Sequence, residues 1–146
     1  MNQKQMLDGF LEALATAAEI DVVNAIDEFS EDLKSEIMTF LVGFVDYLER
    51  HNIQVDHISA GEFGRLCYTS LGKRPRATAF SMLGQQEIQT RLDHYANSPY
   101  RFQDLHEHLW DNGDGIDLNF IPGKGIASSK EREALYAQYF YDNINS

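Results

Sequence analysis

A broad stripe of apolar residues in the first third of the chain constrains the fold more than any other feature. Between residues 31 and 51, apolar side chains recur at the three- and four-residue spacing of one helix face. They are Leu33, Ile37, Phe40, Leu41, Phe44, Val45 and Leu48. Glu31 and Asp32 at the start and Arg50 near the end suit the dipole of a helix. The width of the stripe predicts that this helix occupies the centre of the fold.

Similar spacing predicts further helices on both sides of this one. The candidate segments cover residues 3–18, 21–30, 59–72, 78–96 and 102–111, and a final helix opens at Ser128. Gly84 is a point at which the helix over 78–96 can bend. We expect the apolar side chains of the final helix to face inward. These are Leu135, Tyr136, Tyr139 and Phe140.

Strand periodicity is confined to short segments. Apolar and polar residues alternate from 116 to 120, which predicts a strand, and weaker alternation over 53–58 makes that segment its best available partner. A chain of 146 residues is long enough to bury one core. The sequence therefore predicts a mainly α single domain, residues 1–146, in which six or seven helices surround the helix at 31–51 and one small two-stranded β element completes the fold.

Charge is the feature that bears most on function. The net charge is −11, and the first 50 residues carry 11 Asp or Glu against 3 Lys or Arg. Because binding to a phosphate backbone requires clustered cations, nucleic acid is an unlikely partner and a basic protein surface is the better fit. The leading hypothesis is a non-catalytic acidic interaction module, of the inhibitor or nucleic-acid-mimic type. The candidate contact residues are Asp8, Glu12, Asp27, Glu28, Asp32 and Glu36.

The location is predicted from cysteine usage and hydropathy. Cys67 is the single cysteine, so no internal disulfide can form, and the start of the chain lacks the pattern of a signal peptide. The longest apolar stretches are too short for a membrane span. We expect a cytoplasmic protein without membrane attachment, with Cys67 packed in the core. A homo-oligomer is left open.

Residues 106–117 concentrate potential metal ligands. His106 and His108 are two positions apart, so on a helix they project in nearly opposite directions, whereas helix-borne ligand pairs are spaced by three or four residues. We expect His106 to be packed in the core or at an interface, and His108 to be exposed. Calcium is not favoured at residues 111–117, because Gly113 and Gly115 stand at two ligand positions of an EF-hand loop. No cofactor or metal is predicted, although metal binding by this segment is left open.

One pair of residues suggests an enzyme as the alternative. Arg101 and His106 are separated by four residues near the end of a mainly helical chain. This spacing resembles the Arg-x4-His to Arg-x6-His motif of the HEPN ribonuclease family. The resemblance implies metal-independent RNA cleavage at a site completed by a second subunit, with Arg101 steadying phosphate charge and His106 acting on the 2′-hydroxyl or the leaving oxygen. It covers two residues, and Phe102 stands where the family usually has a polar residue.

Two further interpretations complete the alternatives. A small-ligand or metal sensor would require a pocket among aromatic residues. The candidates are Tyr95, Tyr100, Trp110 and Tyr139. A basic loop at Lys73, Arg74 and Arg76 could contact DNA, but we favour its pairing with the acidic N-terminal third.

Overall fold

The computed structural model describes residues 1–21, 27–71, 79–96, 108–110 and 116–144. Within these residues lie six helices and two strands. They are α1 (Gln3–Ala17), α2 (Glu31–Arg50), α3 (Ala60–Thr69), α4 (Ala79–Met82), α5 (Gln86–Ala96), β1 (Leu118–Ile121), β2 (Gly125–Ser128) and α6 (Ser129–Ile144). The predicted fold class is confirmed, since the described part is mainly helical with one small two-stranded antiparallel sheet.

Helices α2 and α3 each begin at a serine cap. The Ser30 hydroxyl accepts a hydrogen bond from the backbone N–H of Leu33 at 3.1 Å, and the Ser59 hydroxyl accepts one from Glu62 at 3.4 Å. Such caps satisfy backbone donors that have no partner within the helix. The predicted boundaries of α2 and α3 are therefore confirmed to within a few residues. The central position of α2 stays a prediction.

The closest approach between two helices is that of α1 to α3, and glycines make it possible. A Cβ atom on Gly9 would overlap the carbonyl oxygen of Gly61, and one on Gly64 would overlap the carbonyl oxygen of Met6. The two backbones are therefore in direct contact. No side chain larger than hydrogen fits at Gly9 or Gly64 unless the helices separate.

An aromatic cluster fills the core beside this contact. The Phe10 ring lies edge-on to Tyr68 and Trp110, with centroid distances of 5.3 Å and 5.9 Å. The Tyr68 hydroxyl donates to the carbonyl of Leu109 at 2.8 Å, and Trp110 Nε1 donates to the carbonyl of Tyr68 at 2.9 Å. These bonds anchor residues 108–110 to α3 and satisfy polar groups that burial would otherwise penalise.

The prediction of one helix over 78–96 is wrong. The chain forms α4 and α5, separated by a turn in which Gly84 has φ of +76°. This left-handed conformation ends a helix, and glycine adopts it without the steric penalty that a Cβ atom brings. Phe80 before the turn is fully buried, whereas Leu83 at the turn is 57% exposed.

The predicted pairing of the strand with residues 53–58 is also wrong. β1 pairs with β2 in a hairpin, with Leu118 opposite Ser128 and Ile121 opposite Gly125. Residues 53–55 form no strand, although Ile53 and Val55 are buried. A turn of three residues closes the hairpin, so it costs far less chain entropy than pairing with a segment more than 60 residues away.

The other edge of β2 contacts the chain just before α2. Phe29 forms a parallel bridge with Ile126, and the Ser30 N–H donates to the Ile126 carbonyl at 2.8 Å. Gly125, with φ of +99°, lies so close to this segment that a Cβ atom would overlap the carbonyl oxygen of Glu28. Residues 28–30 therefore run alongside the hairpin in direct backbone contact.

The inward-facing apolar side chains predicted for the final helix are exposed. All described side chains of α6 from Glu133 to Asp142 are exposed, and the helix contacts β1 and β2. The exposed fractions are 37% for Leu135, 53% for Tyr136, 65% for Tyr139 and 62% for Phe140. That prediction is wrong because helical periodicity identifies an apolar face but not the surface that covers it.

Two predicted helices lie largely outside the described residues. The segment at 21–30 includes residues 22–26, and the segment at 102–111 includes 102–107 and 111. Among the helices that the structure describes, none combines the length and hydrophobicity that a membrane crossing requires.

Candidate protein-docking surface

The six acidic contact residues predicted from sequence fall on three elements. Asp8 and Glu12 lie on α1, Asp32 and Glu36 on α2, and Asp27 and Glu28 directly before α2. Three of them form ion pairs within the chain. The pairs are Lys4–Asp8 at 3.5 Å, Arg65–Glu12 at 3.5 Å and Lys124–Asp32 at 3.9 Å. Of these three, Asp8 and Glu12 are 31% and 41% exposed, whereas Asp32 remains 69% exposed.

The solvent-facing carboxylates concentrate at the start of α2. We call Asp27, Glu28, Glu31 and Asp32 the acidic ridge. All four residues are exposed, with side-chain exposures of 90% for Glu31 and 69% for Asp32. Two ammonium groups approach the ridge within the described residues, Lys34 at 2.7 Å from Glu31 and Lys124 at 3.9 Å from Asp32. Four carboxylates thus face two cations, although Glu31 and Asp32 also stabilise the positive end of the α2 dipole.

The cations of the described part are largely engaged by the chain itself. Six Lys and Arg side chains are described, and all but Arg91 form an ion pair with a carboxylate of this chain. The paired cations are Lys4, Lys34, Arg50, Arg65 and Lys124. The electrostatic field of the described surface is therefore negative, and it favours the approach of a positively charged molecule.

An open groove lies between the hairpin and α6. It has a volume of about 600 Å³, and its lining includes Phe120, Pro122, Leu135, Tyr136 and Tyr139. We call it the hairpin groove. Phe120 on β1 is 67% exposed, so the apolar surface continues from the helix onto the strand. No Asp, Glu, Lys or Arg is among the described residues that line it.

Sequence reasoning missed this groove because it assigned the apolar residues of α6 to the core. One signal was available. Aromatic residues stand at positions 136, 139, 140 and 141, which distribute around more than one side of a helix, whereas a core-facing helix confines them to one stripe. Tyr141 is 66% exposed, like its neighbours.

The hairpin groove and the acidic ridge flank the same hairpin. Phe120 on β1 pairs with Ile126 on β2, and Ile126 is bridged on its other edge to Phe29, which lies within the ridge segment. Neighbouring strands are about 4.8 Å apart, so the ridge segment runs roughly 10 Å from β1. The two surfaces therefore border the same hairpin.

His108 is less exposed than predicted. Its side chain is 20% exposed, and Nδ1 lies 3.2 Å from the Asp117 carboxylate. The Asp117 N–H also donates to the His108 carbonyl at 2.9 Å. These bonds join residues 108–110 to the chain that leads into β1. Within the described ranges, no group of three potential ligands is placed to hold a metal ion, and His106, with residues 111–115, lies outside them.

The residues of the enzyme alternative are not among those described, since residues 101–107 and the basic loop at 73–76 lie outside the described ranges. Cys67 is described and fully buried, as predicted. Burial raises the pKa of its thiol well above the usual value, because the charged thiolate is poorly solvated there. The thiol is therefore neutral and inaccessible in the folded protein.

The aromatic residues proposed for a sensor pocket do not share one site in the described part. Tyr95 is buried and its hydroxyl donates to the carbonyl of Phe40 at 3.0 Å, while Trp110 is buried against Phe10 and Tyr68. Tyr139 lies in the hairpin groove, and Tyr100 is outside the described residues. Tyr95 and Trp110 thus have structural roles in the core.

Comparison with known proteins gives no match: no family model, no curated protein and no solved structure matches the chain. The geometry and charge of the surface are therefore the features that bear on function.

Proposed function

We propose that this protein is a non-catalytic acidic interaction module that docks a basic surface of a partner protein. The observation that carries the proposal is the imbalance at the acidic ridge, where four exposed carboxylates face two ammonium groups of the described residues. The proposal includes a cytoplasmic location, which the free, buried thiol of Cys67 supports.

Exposed charges contribute more to the rate and selectivity of binding than to its free energy. An exposed ion pair adds at most about 1 kcal/mol, whereas complementary fields raise association rates and select the partner. The ridge therefore steers and orients a basic protein, and the interaction weakens as salt screens the charges. Asp8 and Glu12 contribute less, because their side chains are only 31% and 41% exposed beside an internal cation, whereas those of Glu31 and Asp32 are 90% and 69% exposed.

An inhibitor or nucleic-acid mimic is the more specific form of the proposal. It requires carboxylates at regular intervals along one surface. Asp32 and Glu36 are one helical turn apart on α2, which places their Cβ atoms about 6 Å from each other. This pair leads from the ridge along the helix, and its spacing supports the mimic form.

The test removes the ridge charge without removing side-chain volume. The ridge variant combines Asp27→Asn, Glu28→Gln, Glu31→Gln and Asp32→Asn. The control variant makes the same change in charge on exposed acids elsewhere, by Glu19→Gln, Glu49→Gln, Asp56→Asn and Glu87→Gln. Circular dichroism verifies that both variants fold.

Tagged protein captures its partner from native lysate, and the purified partner is then titrated against all three proteins at low and high salt. We expect a basic protein whose affinity falls at least about tenfold for the ridge variant and about threefold or less for the control. Equal affinity for wild type and the ridge variant would overturn the proposal, as would nucleic acid as the bound species.

A further inference from the structure

The side chains around the hairpin groove expose enough apolar surface to form an interface. The exposed fractions are 67% for Phe120, 37% for Leu135, 53% for Tyr136, 65% for Tyr139 and 62% for Phe140. With about 200 Å² for a whole large side chain, these five expose roughly 600 Å². Patches of this size on a monomer are often functional, and a standard interface buries about 800 Å² on each partner.

Helix α6 also lacks the packing that holds the other long helices. It spans 16 residues, and its described side chains from Glu133 to Asp142 are all exposed. Isolated helices of about this length are marginal in water, since most helical stability in proteins comes from burying one face. A bound segment that covers this face would supply the missing burial.

The charges around the hairpin groove indicate which kind of molecule binds there. The described lining of the groove carries no ionised side chain, while the acidic ridge runs on the opposite side of the hairpin, roughly 10 Å from β1. A second copy seated in the groove would bring two acidic ridges together, each on a chain of net charge −11. A segment with apolar residues on one face and Lys or Arg on the other satisfies both surfaces. An α-helix about 10 Å in diameter, whose Lys or Arg side chains extend beyond it, carries both faces on one element.

We propose that the hairpin groove binds the apolar face of a basic amphipathic helix from a partner protein, while the acidic ridge engages the cations of that helix. This inference rests on the proposed function and adds the form of the partner. The recognition is of the helix-in-groove type, in which apolar anchors enter a preformed groove and charge sets the orientation.

The probes are three fluorescently labelled 18-residue peptides with one helical pattern. One carries Leu and Lys, the second carries Leu and Glu, and the third replaces each Leu of the first with Ser. The groove variant combines Tyr136→Ser and Tyr139→Ser. Its matched control is Leu83→Ser, which removes an exposed apolar side chain from the turn between α4 and α5.

Fluorescence anisotropy measures binding of each peptide to each protein. We expect the Leu/Lys peptide to bind at least about tenfold more tightly than the other two. The groove variant should lose at least about tenfold in affinity for it, and Leu83→Ser should change the affinity by about threefold or less. The ridge variant should also lose affinity, and most strongly at low salt.

The outcomes separate this inference from the proposed function. If the ridge variant weakens binding and the groove variant does not, the groove inference fails and the acidic module stands. If only the groove variant weakens binding, the charge argument and the proposed function fail. Equal affinity for the Leu/Lys and Leu/Glu peptides overturns the choice of a basic occupant.

Two further measurements on the free protein address the other occupants. Sedimentation that finds a dimer, dissociated by the groove variant, would identify a second copy in the groove and overturn the inference. Hydrogen exchange tests coverage by the chain itself. We expect faster exchange of α6 amides than of α2 amides, with slowing when the Leu/Lys peptide binds. Equally slow exchange in the free protein, without peptide binding, would overturn the inference.

Discussion

The packed helices α1, α2 and α3 and the exposed helix α6 use the same kinds of apolar residue with opposite results. Phe10, Phe40 and Phe44 are at most 2% exposed, whereas Tyr139 and Phe140 on α6 are more than 60% exposed. The difference lies in what surrounds each element. The first group faces other helices, while α6 contacts only the two strands of a hairpin among the described elements with substantial contacts. An apolar face therefore favours burial wherever it occurs. Whether that burial comes from folding or from binding depends on the elements that pack against the face.

The hairpin links these two regions and is itself firmly held. Ile126 is 7% exposed and Ala127 is fully buried on β2, while Ile121 on β1 is 9% exposed. The Ser30 N–H and the close approach of Gly125 to Glu28 fix its outer edge to the start of α2. A packed hairpin thus supplies one firm wall of the groove beside the exposed helix.

The largest expected difference comes from replacing one phenylalanine with alanine in each region. Phe10→Ala removes a fully buried ring that contacts Tyr68 and Trp110, so we expect a loss of about 3–5 kcal/mol in the free energy of unfolding. Phe140→Ala removes an exposed ring and should change stability by about 0.5 kcal/mol or less. Urea unfolding followed by circular dichroism measures both. Similar losses for the two variants would show that α6 is buried in solution and would end the comparison.

A smaller effect is expected where α1 and α3 touch. Gly64→Ala places a methyl group against the Met6 carbonyl and forces two backbones apart, for which overpacking predicts a loss of about 1–3 kcal/mol. Gly61→Ala is the matched control on the same helix, because the nearest atom to its new Cβ would be the Gln5 carbonyl oxygen at an ordinary 3.7 Å.

Alanine also favours a helix more than glycine does, so the Gly61→Ala control should be neutral or stabilising by up to about 1 kcal/mol. Thermal and urea unfolding of the two variants test this difference in sign. A Gly64→Ala protein as stable as wild type would contradict the close approach of α1 to α3.

Local sequence signals were enough to predict the fold class. Other features depend on long-range packing, which the sequence pattern does not show. The stripe from Leu33 to Leu48, with Glu31 and Asp32 at its start, predicted α2 because these effects act within a few residues. The predicted partner of β1 is wrong because the alternation at 53–58 is weak, whereas a Gly-containing turn follows Ile121 directly. That turn signal, with Gly123 at φ of +83°, was the stronger one.

The candidate site was less predictable than the fold. Charge counting indicated an acidic N-terminal region, but it could not show that Asp8, Glu12 and Asp32 have internal cations. Nor could periodicity show that the apolar face of α6 is uncovered, because a core face and a binding face have the same pattern. Contacts between Phe29 and Ile126, almost 100 residues apart, bring the ridge beside the hairpin.

The smallest expected effect concerns Cys67, the buried thiol on the packed side of the comparison. Burial raises its pKa in the folded protein, whereas the unfolded thiol ionises near its ordinary value of about 8.5. Below that pH both states are protonated and the stability contribution is fully present. As pH rises above it the unfolded state alone loses the proton, so stability falls by about 1 kcal/mol between pH 7 and pH 9.

Urea unfolding of wild type and Cys67→Ala at both pH values isolates this contribution, since the variant lacks the thiol and every other group titrates in both proteins. A thiol reagent provides the second readout. Native Cys67 should react only as fast as the protein unfolds, while Leu83→Cys in the Cys67→Ala background should react at once from its exposed turn. Rapid reaction of native Cys67 would mean that α3 opens readily. The packed helices would then share the accessibility of α6, and the contrast between the two regions would lose its physical basis.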